Sequence, residues 1–190
     1  MNDVHGENIP SVNAVRPSRA RRRLFVAAFP PRDVLDVLAA VPRPVERGVH
    51  WIPRARWHAT FRFLGDADPH DVVGRLASAD LPTATAVLGP AVTLLGPDVV
   101  VAPVAGLERL AVAVTEATVD LGQPPGPRPF TGHVTLARLR RGAACNAVGV
   151  SVAAGFDVTE VCLVDSRRGE EGGGGGLRYD VVRRFATRIA

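Results

Sequence analysis

His58-Ala59-Thr60-Phe61-Arg62-Phe63-Leu64 and, 75 residues further on, His133-Val134-Thr135-Leu136-Ala137-Arg138-Leu139 share one pattern. The first copy alternates strictly. His58, Thr60 and Arg62 fall on one side, and Ala59, Phe61 and Phe63 on the other, the signature of a half-buried strand with a period of two. On a strand, residues i and i+2 point to the same face, so each histidine shares a face with its threonine. A single His-x-Thr carries little information. Two copies in matched strand contexts, each with a helix in the segment before it, point to a duplicated lobe whose two strands pair about a pseudo-twofold axis. Such strands would present two imidazoles and two hydroxyls to one small ligand. Imidazoles that titrate near neutrality serve as base and acid in one step. Hydroxyls with an arginine nearby suit the non-bridging oxygens of a phosphate. On this parity Arg62 joins His58 and Thr60 on the cleft face, whereas Arg138 is off the parity of His133 unless a bulge intervenes.

Working outward, Leu24 to Phe29 reads as a buried strand. Pro30-Pro31-Arg32-Asp33 opens a helix with Val34, Leu35, Val37 and Leu38 on its apolar face. Asp68-Pro69-His70-Asp71 starts a second helix. Residues 84–95 and 98–104, with Gly96-Pro97-Asp98 between them, read as a hairpin, and 106–121 as a third helix. After Gln123-Pro124-Pro125-Gly126-Pro127 comes the second His-x-Thr strand, and then strands near 148–155, 158–165 and 177–186. Gly172 to Gly176 read as a flexible hairpin tip. The expected class is α+β, with two pseudo-symmetric lobes of antiparallel sheet and outer helices around a central cleft. Residues 1–20 are expected to form a disordered, Arg-rich tail, and 21–190 a single bilobal domain.

The chain has 190 residues, no lysine, and a net charge of +4. The first 23 residues hold Arg16, Arg19, Arg21, Arg22 and Arg23 against Asp3 and Glu7, so they supply +3 of that total. A nearly neutral body argues against coating duplex nucleic acid by bulk charge and leaves room for a few arginines around one anion. No apolar run is long enough to cross a bilayer, so no membrane partner is expected. Cys145 and Cys162 have neither CxxC spacing nor a nearby histidine, which fits reduced thiols in a cytoplasmic protein. Two separated histidines without a compact third ligand do not make a zinc set, so neither a metal nor another cofactor is expected.

The paired motifs resemble those of the 2H phosphoesterase superfamily, in its LigT/ThpR branch of RNA 2′,3′-cyclic phosphodiesterases. The resemblance rests on Arg23-Leu24-Phe25-Val26-Ala27, on His58 to Gly65, and on Arg128-Pro129-Phe130 followed by His133 to Arg138. Leu163-Val164-Asp165-Ser166 and Tyr179 match more weakly, and the likeness runs from about residue 22 to the end. The chain departs from the family pattern at Gly132, where Pro is common, and at Ala59, where Leu is favoured. Both positions flank the chemistry and bear on substrate preference more than on activity.

The resemblance implies metal-free hydrolysis of a 2′,3′-cyclic phosphate to a 2′-phosphate, with weak reverse 2′–5′ ligation. It implies His133 as proton acceptor, His58 as donor, and Thr60 and Thr135 as phosphate ligands. It also adds Arg138 to Arg62 as a substrate-binding candidate. The implied partner is an RNA end with a cyclic phosphate, tRNA fragments included, handled by a monomer. A small cyclic phosphate, such as a cyclic nucleotide or an ADP-ribose cyclic phosphate, is the alternative substrate, and a non-catalytic RNA-end binding module the alternative role.

Overall fold

The computed structural model describes residues 21–168 and 177–189. The expected tail at 1–20 and the glycine run at 172–176 lie outside the described residues. Among the described residues, ten strands form one antiparallel sheet. They are β1 (Arg22–Ala28), β2 (Val49–Trp51), β3 (Ala59–Ala67), β4 (Ala84–Leu88), β5 (Thr93–Leu95), β6 (Val99–Ala105), β7 (His133–Leu139), β8 (Ala154–Val158), β9 (Glu160–Arg168) and β10 (Leu177–Ala186). The spatial order is β10-β9-β1-β3-β7-β6-β4-β8, with β2 added beside β7 and β5 beside β6. The two His-x-Thr strands, β3 and β7, are therefore central neighbours, each flanked outward by its own lobe.

Among the described residues, three α-helices complete the α+β fold: α1 (Arg32–Ala39), α2 (Pro69–Ser78) and α3 (Glu108–Ala117). Asp68 caps α2, its carboxylate accepting from the His70 N–H at 2.8 Å, and Pro69 takes the first turn, where an N–H would have no partner. Two of the described helices, α1 and α3, cross between lobes. The helix that follows β1 packs against β8, and the helix that follows β6 packs against β3. Val34 and Leu38 of α1 and Leu110, Ala111 and Val114 of α3 enter the main core. This exchange ties the halves into one hydrophobic body. A second, small core of Phe25, Ala27, Cys162 and Val164, with Phe29 and Tyr179 against it, lies under the first lobe.

The structure shifts several expected boundaries. The stretch 84–95 is two strands, because the chain turns at Gly89-Pro90. Gly89 has φ 118°, and a Cβ there would sit 2.1 Å from the Val152 carbonyl oxygen. The strand expected at 148–155 starts at Ala154, and β2 had no signal of its own beyond three residues beside Pro53.

The larger correction concerns Arg62. In the β1–β3 ladder Ala27 pairs with Thr60 but Val26 pairs with Arg62, so Phe61 is an extra residue in β3. This bulge reverses the alternation. Arg62 turns away from the side of Thr60 and is buried, 5% exposed, against the segment that follows α3. Its guanidinium donates to the carbonyls of Thr115, Leu121 and Gln123 at 3.0–3.1 Å and to the Thr118 hydroxyl at 2.8 Å. Arg62 is thus a clamp on the 115–123 turn. Arg62→Met keeps much of the bulk and strips these donors from several acceptors. It is expected to lower unfolding free energy by about 2–4 kcal/mol in urea titrations. A loss below about 0.5 kcal/mol would contradict the clamp.

Candidate active site

Among the described residues, the two central strands share a single register pair, Ala59 opposite Val134. Both side chains point into the core, 1% and 0% exposed. His58 and Thr60 flank Ala59, and His133 and Thr135 flank Val134, so all four sit beside this one pair. Beyond that point β3 follows β1 and β7 follows β6, and a cleft of about 540 Å³ opens between the lobes. His58, Thr60, His133 and Thr135 all line it.

The bulge in β3 has a counterpart in β7. Val101 pairs with Thr135 and Val100 with Ala137, leaving Leu136 as the extra residue. Each strand therefore carries a bulge three residues after its histidine. The consequence is the same on both: the residue five after the histidine, Phe63 in one copy and Arg138 in the other, faces the cleft. The structure thus brings Arg138 together with the two histidines and two threonines and leaves Arg62 out. Strict alternation pointed the other way for both arginines.

The imidazoles are oriented alike. His58 Nδ1 lies 2.7 Å from the Arg56 carbonyl oxygen, and His133 Nδ1 lies 2.7 Å from that of Thr131. A carbonyl only accepts, so both Nδ1 atoms carry hydrogen. Each ring is left with Nε2 as its working atom, an acceptor when neutral and a donor when charged. Gly132 supports the second of these arrangements. Its carbonyl accepts from Val104 N–H at 2.9 Å, and a Cβ at this position would lie 2.2 Å from the Val104 oxygen. The close approach of β6 accounts for glycine at this position.

The surroundings of the two rings differ. His58 stacks on Phe25 with centroids 4.8 Å apart, meets Tyr179 edge-on at 5.3 Å, and has Phe29 at 5.7 Å. It rests on the small second core, and His133 has no such aromatic nest among the described residues. Burial lowers the His58 pKa from 6.5. The Arg56 carbonyl opposes that shift, and the nearby His133 and Arg56 add to it. Arg23, Arg56 and Arg138 line the cleft, and none of the described lining residues is Asp or Glu. The cleft therefore attracts an anion, and an anion bound there would raise the His58 pKa.

Arg56 also lines the cleft, from a 3-10 turn (Arg54–Arg56) that strand parity does not reach, and the cleft facing of Arg23, Phe25, Ser166 and Tyr179 depends on which strands become neighbours. Among the described residues, no group of three or more His, Cys, Asp and Glu side chains is placed to hold a metal ion. No helix among them is long and apolar enough to cross a membrane. Cys145 and Cys162 are both buried free thiols.

No family model matches the chain, and no curated protein matches it. Solved structures do. Escherichia coli LigT complexed with 3′-AMP superimposes with a TM-score of 0.70 at 27% identity, covering 88% of this chain and 98% of that one. A crystal structure described as a phosphoesterase gives 0.69 at 25% identity, and a Thermus thermophilus protein 0.65 at 29%, each over 88% of this chain and 98% of the other. The α+β arrangement of a curled antiparallel sheet with helices matches the fold of LigT-like 2H phosphoesterase structures. In fold, this chain is LigT-like.

The asymmetry between the two rings is directly measurable. In imidazole NMR titrations of the free protein, His58 is expected to titrate below 6.5 and to move upward when inorganic phosphate is added. A midpoint at or above 6.5 without phosphate, or a downward shift with it, would contradict the desolvated, anion-facing environment.

Proposed function

We propose that this protein hydrolyses 2′,3′-cyclic phosphates at RNA ends to 2′-phosphates, with His58 and His133 as the proton-transfer pair. The observation that carries this reading is the cleft itself: two Nε2 atoms and two threonine hydroxyls arranged about the Ala59–Val134 pair. A displacement at phosphorus needs its base and its acid on opposite sides. Two lobes related by a pseudo-twofold axis supply that geometry.

His133 is the more open ring and takes a proton from the attacking water through Nε2. The water oxygen bonds to phosphorus, the bond from phosphorus to O3′ breaks, and His58 Nε2–H delivers its proton to O3′. The product keeps its phosphate on O2′. Desolvation makes protonated His58 a stronger acid than a free imidazolium, and the anionic phosphate of the substrate helps load it with its proton. Thr60 and Thr135 donate to the non-bridging oxygens, where charge builds in the transition state. Arg138, Arg56 and Arg23 supply the positive field. With a 5′-hydroxyl in the place of the water, the same pair joins ends: the 5′ oxygen bonds to phosphorus, the bond to O3′ breaks, His133 takes the hydroxyl proton and His58 protonates O3′, leaving a 2′–5′ linkage.

The complex of Escherichia coli LigT with 3′-AMP supports a nucleotide-sized ligand for a cleft of this kind. The test is turnover of an oligoribonucleotide ending in a 2′,3′-cyclic phosphate in excess EDTA, with the product identified by phosphorus NMR. Wild-type protein is expected to give only the 2′-phosphate. His58→Ala and His133→Ala are each expected to lose about 10²–10⁴-fold in kcat. No turnover, a 3′-phosphate product, or a rate that EDTA abolishes would overturn the proposal.

A further inference from the structure

A second cavity of about 540 Å³ lies on the outer side of β3, between α3 and the segment 123–130. Phe63 lines this groove and the histidine cleft alike, so the two are continuous across one side chain. Phe63 is 40% exposed, and the Arg23 guanidinium sits over its ring, 5.1 Å from the centroid. The groove is also lined by Phe61, Glu116, Pro124, Pro125 and Arg128. Phe61 stacks against Phe130, which lines the groove too, with centroids 6.3 Å apart.

Building on the proposed function, we infer that this groove is a nucleobase subsite. It would receive the base on the 5′ side of the terminal nucleotide, with Phe63 as the stacking surface between the two sites. Three features favour a base over a second phosphate. The cleft has three arginines and no described carboxylate, whereas the groove has Glu116 against exposed Arg128. The other arginine in its wall, Arg62, is buried and spends its terminal nitrogens on the 115–123 turn. Most of the remaining lining is uncharged, with three phenylalanines and two prolines among it, which suits a flat heterocycle, and Glu116 can accept from an exocyclic amine. The clamp by Arg62 also holds the groove wall in place before any ligand arrives, which lowers the ordering cost of binding.

This makes the protein an enzyme of oligonucleotide ends more than of mononucleotides. The test compares kcat/KM for 2′,3′-cyclic AMP with that for the dinucleotide ApA carrying the same cyclic end. Wild-type protein is expected to favour the dinucleotide by about ten-fold or more, the scale of one base–aromatic stack. Val112→Trp puts an indole into the groove from an exposed position on α3 and is expected to bring the ratio close to one. Phe63→Leu keeps an apolar side chain without a ring and is expected to lower the ratio as well. A wild-type ratio near one, or a ratio that both variants leave unchanged, would overturn the subsite while leaving the proposed function standing. Absence of turnover on both substrates would overturn the proposed function and the subsite with it.

Discussion

The site depends on one short contact, the pairing of Ala59 with Val134. It is the only register pair between β3 and β7 among the described residues. Its brevity matters as much as its position. A longer ladder would close the sheet and leave no room between the lobes. No contact at all would leave the two histidines to drift independently. One pair, with both side chains buried in the main core, fixes the pseudo-twofold axis beside both His-x-Thr motifs and lets the strands part on either side. The helices that cross between lobes hold the parting in place, since α1 and α3 each cover part of the opposite half.

Symmetry of the scaffold does not extend to the chemistry. Both histidines donate Nδ1–H to a carbonyl two residues earlier, so both present Nε2. The small core under the first lobe then separates them. Phe25, Phe29 and Tyr179 take water from His58 and leave His133 open. Desolvation of one ring in a cleft lined with arginine links its protonation to the arrival of an anion. A duplicated fold thus acquires a distinct acid side and base side through packing, with the same two residue types in each half.

Much of this was legible in the sequence, and the reasons are local. The repeated His-x-Thr shows because strand period two places both side chains on one face whatever the neighbours are. The helix at Asp68-Pro69 shows because its cap and first turn are spelled out within a few residues. The α+β class and the paired lobes follow from the order of such segments. What did not show depends on register. Arg62 and Arg138 exchanged roles because each strand carries an extra residue after its threonine, and nothing in Phe61 or Leu136 marks a bulge. The split at Gly89-Pro90 is written in the sequence, but its consequence depends on the approach of Val152. The aromatic nest of His58 draws on β1, β10 and the residue after β1, and only the strand order brings these together.

The most direct test of the paired-histidine site is a crystal structure with a nucleoside 2′,3′-cyclic vanadate, whose five-coordinate vanadium mimics phosphorus in displacement. The account predicts His58 Nε2 and His133 Nε2 within about 3 Å of the two apical oxygens, on opposite sides of vanadium, with Thr60 and Thr135 on the equatorial oxygens. A vanadate held by one histidine alone, or bound away from the Ala59–Val134 axis, would contradict it.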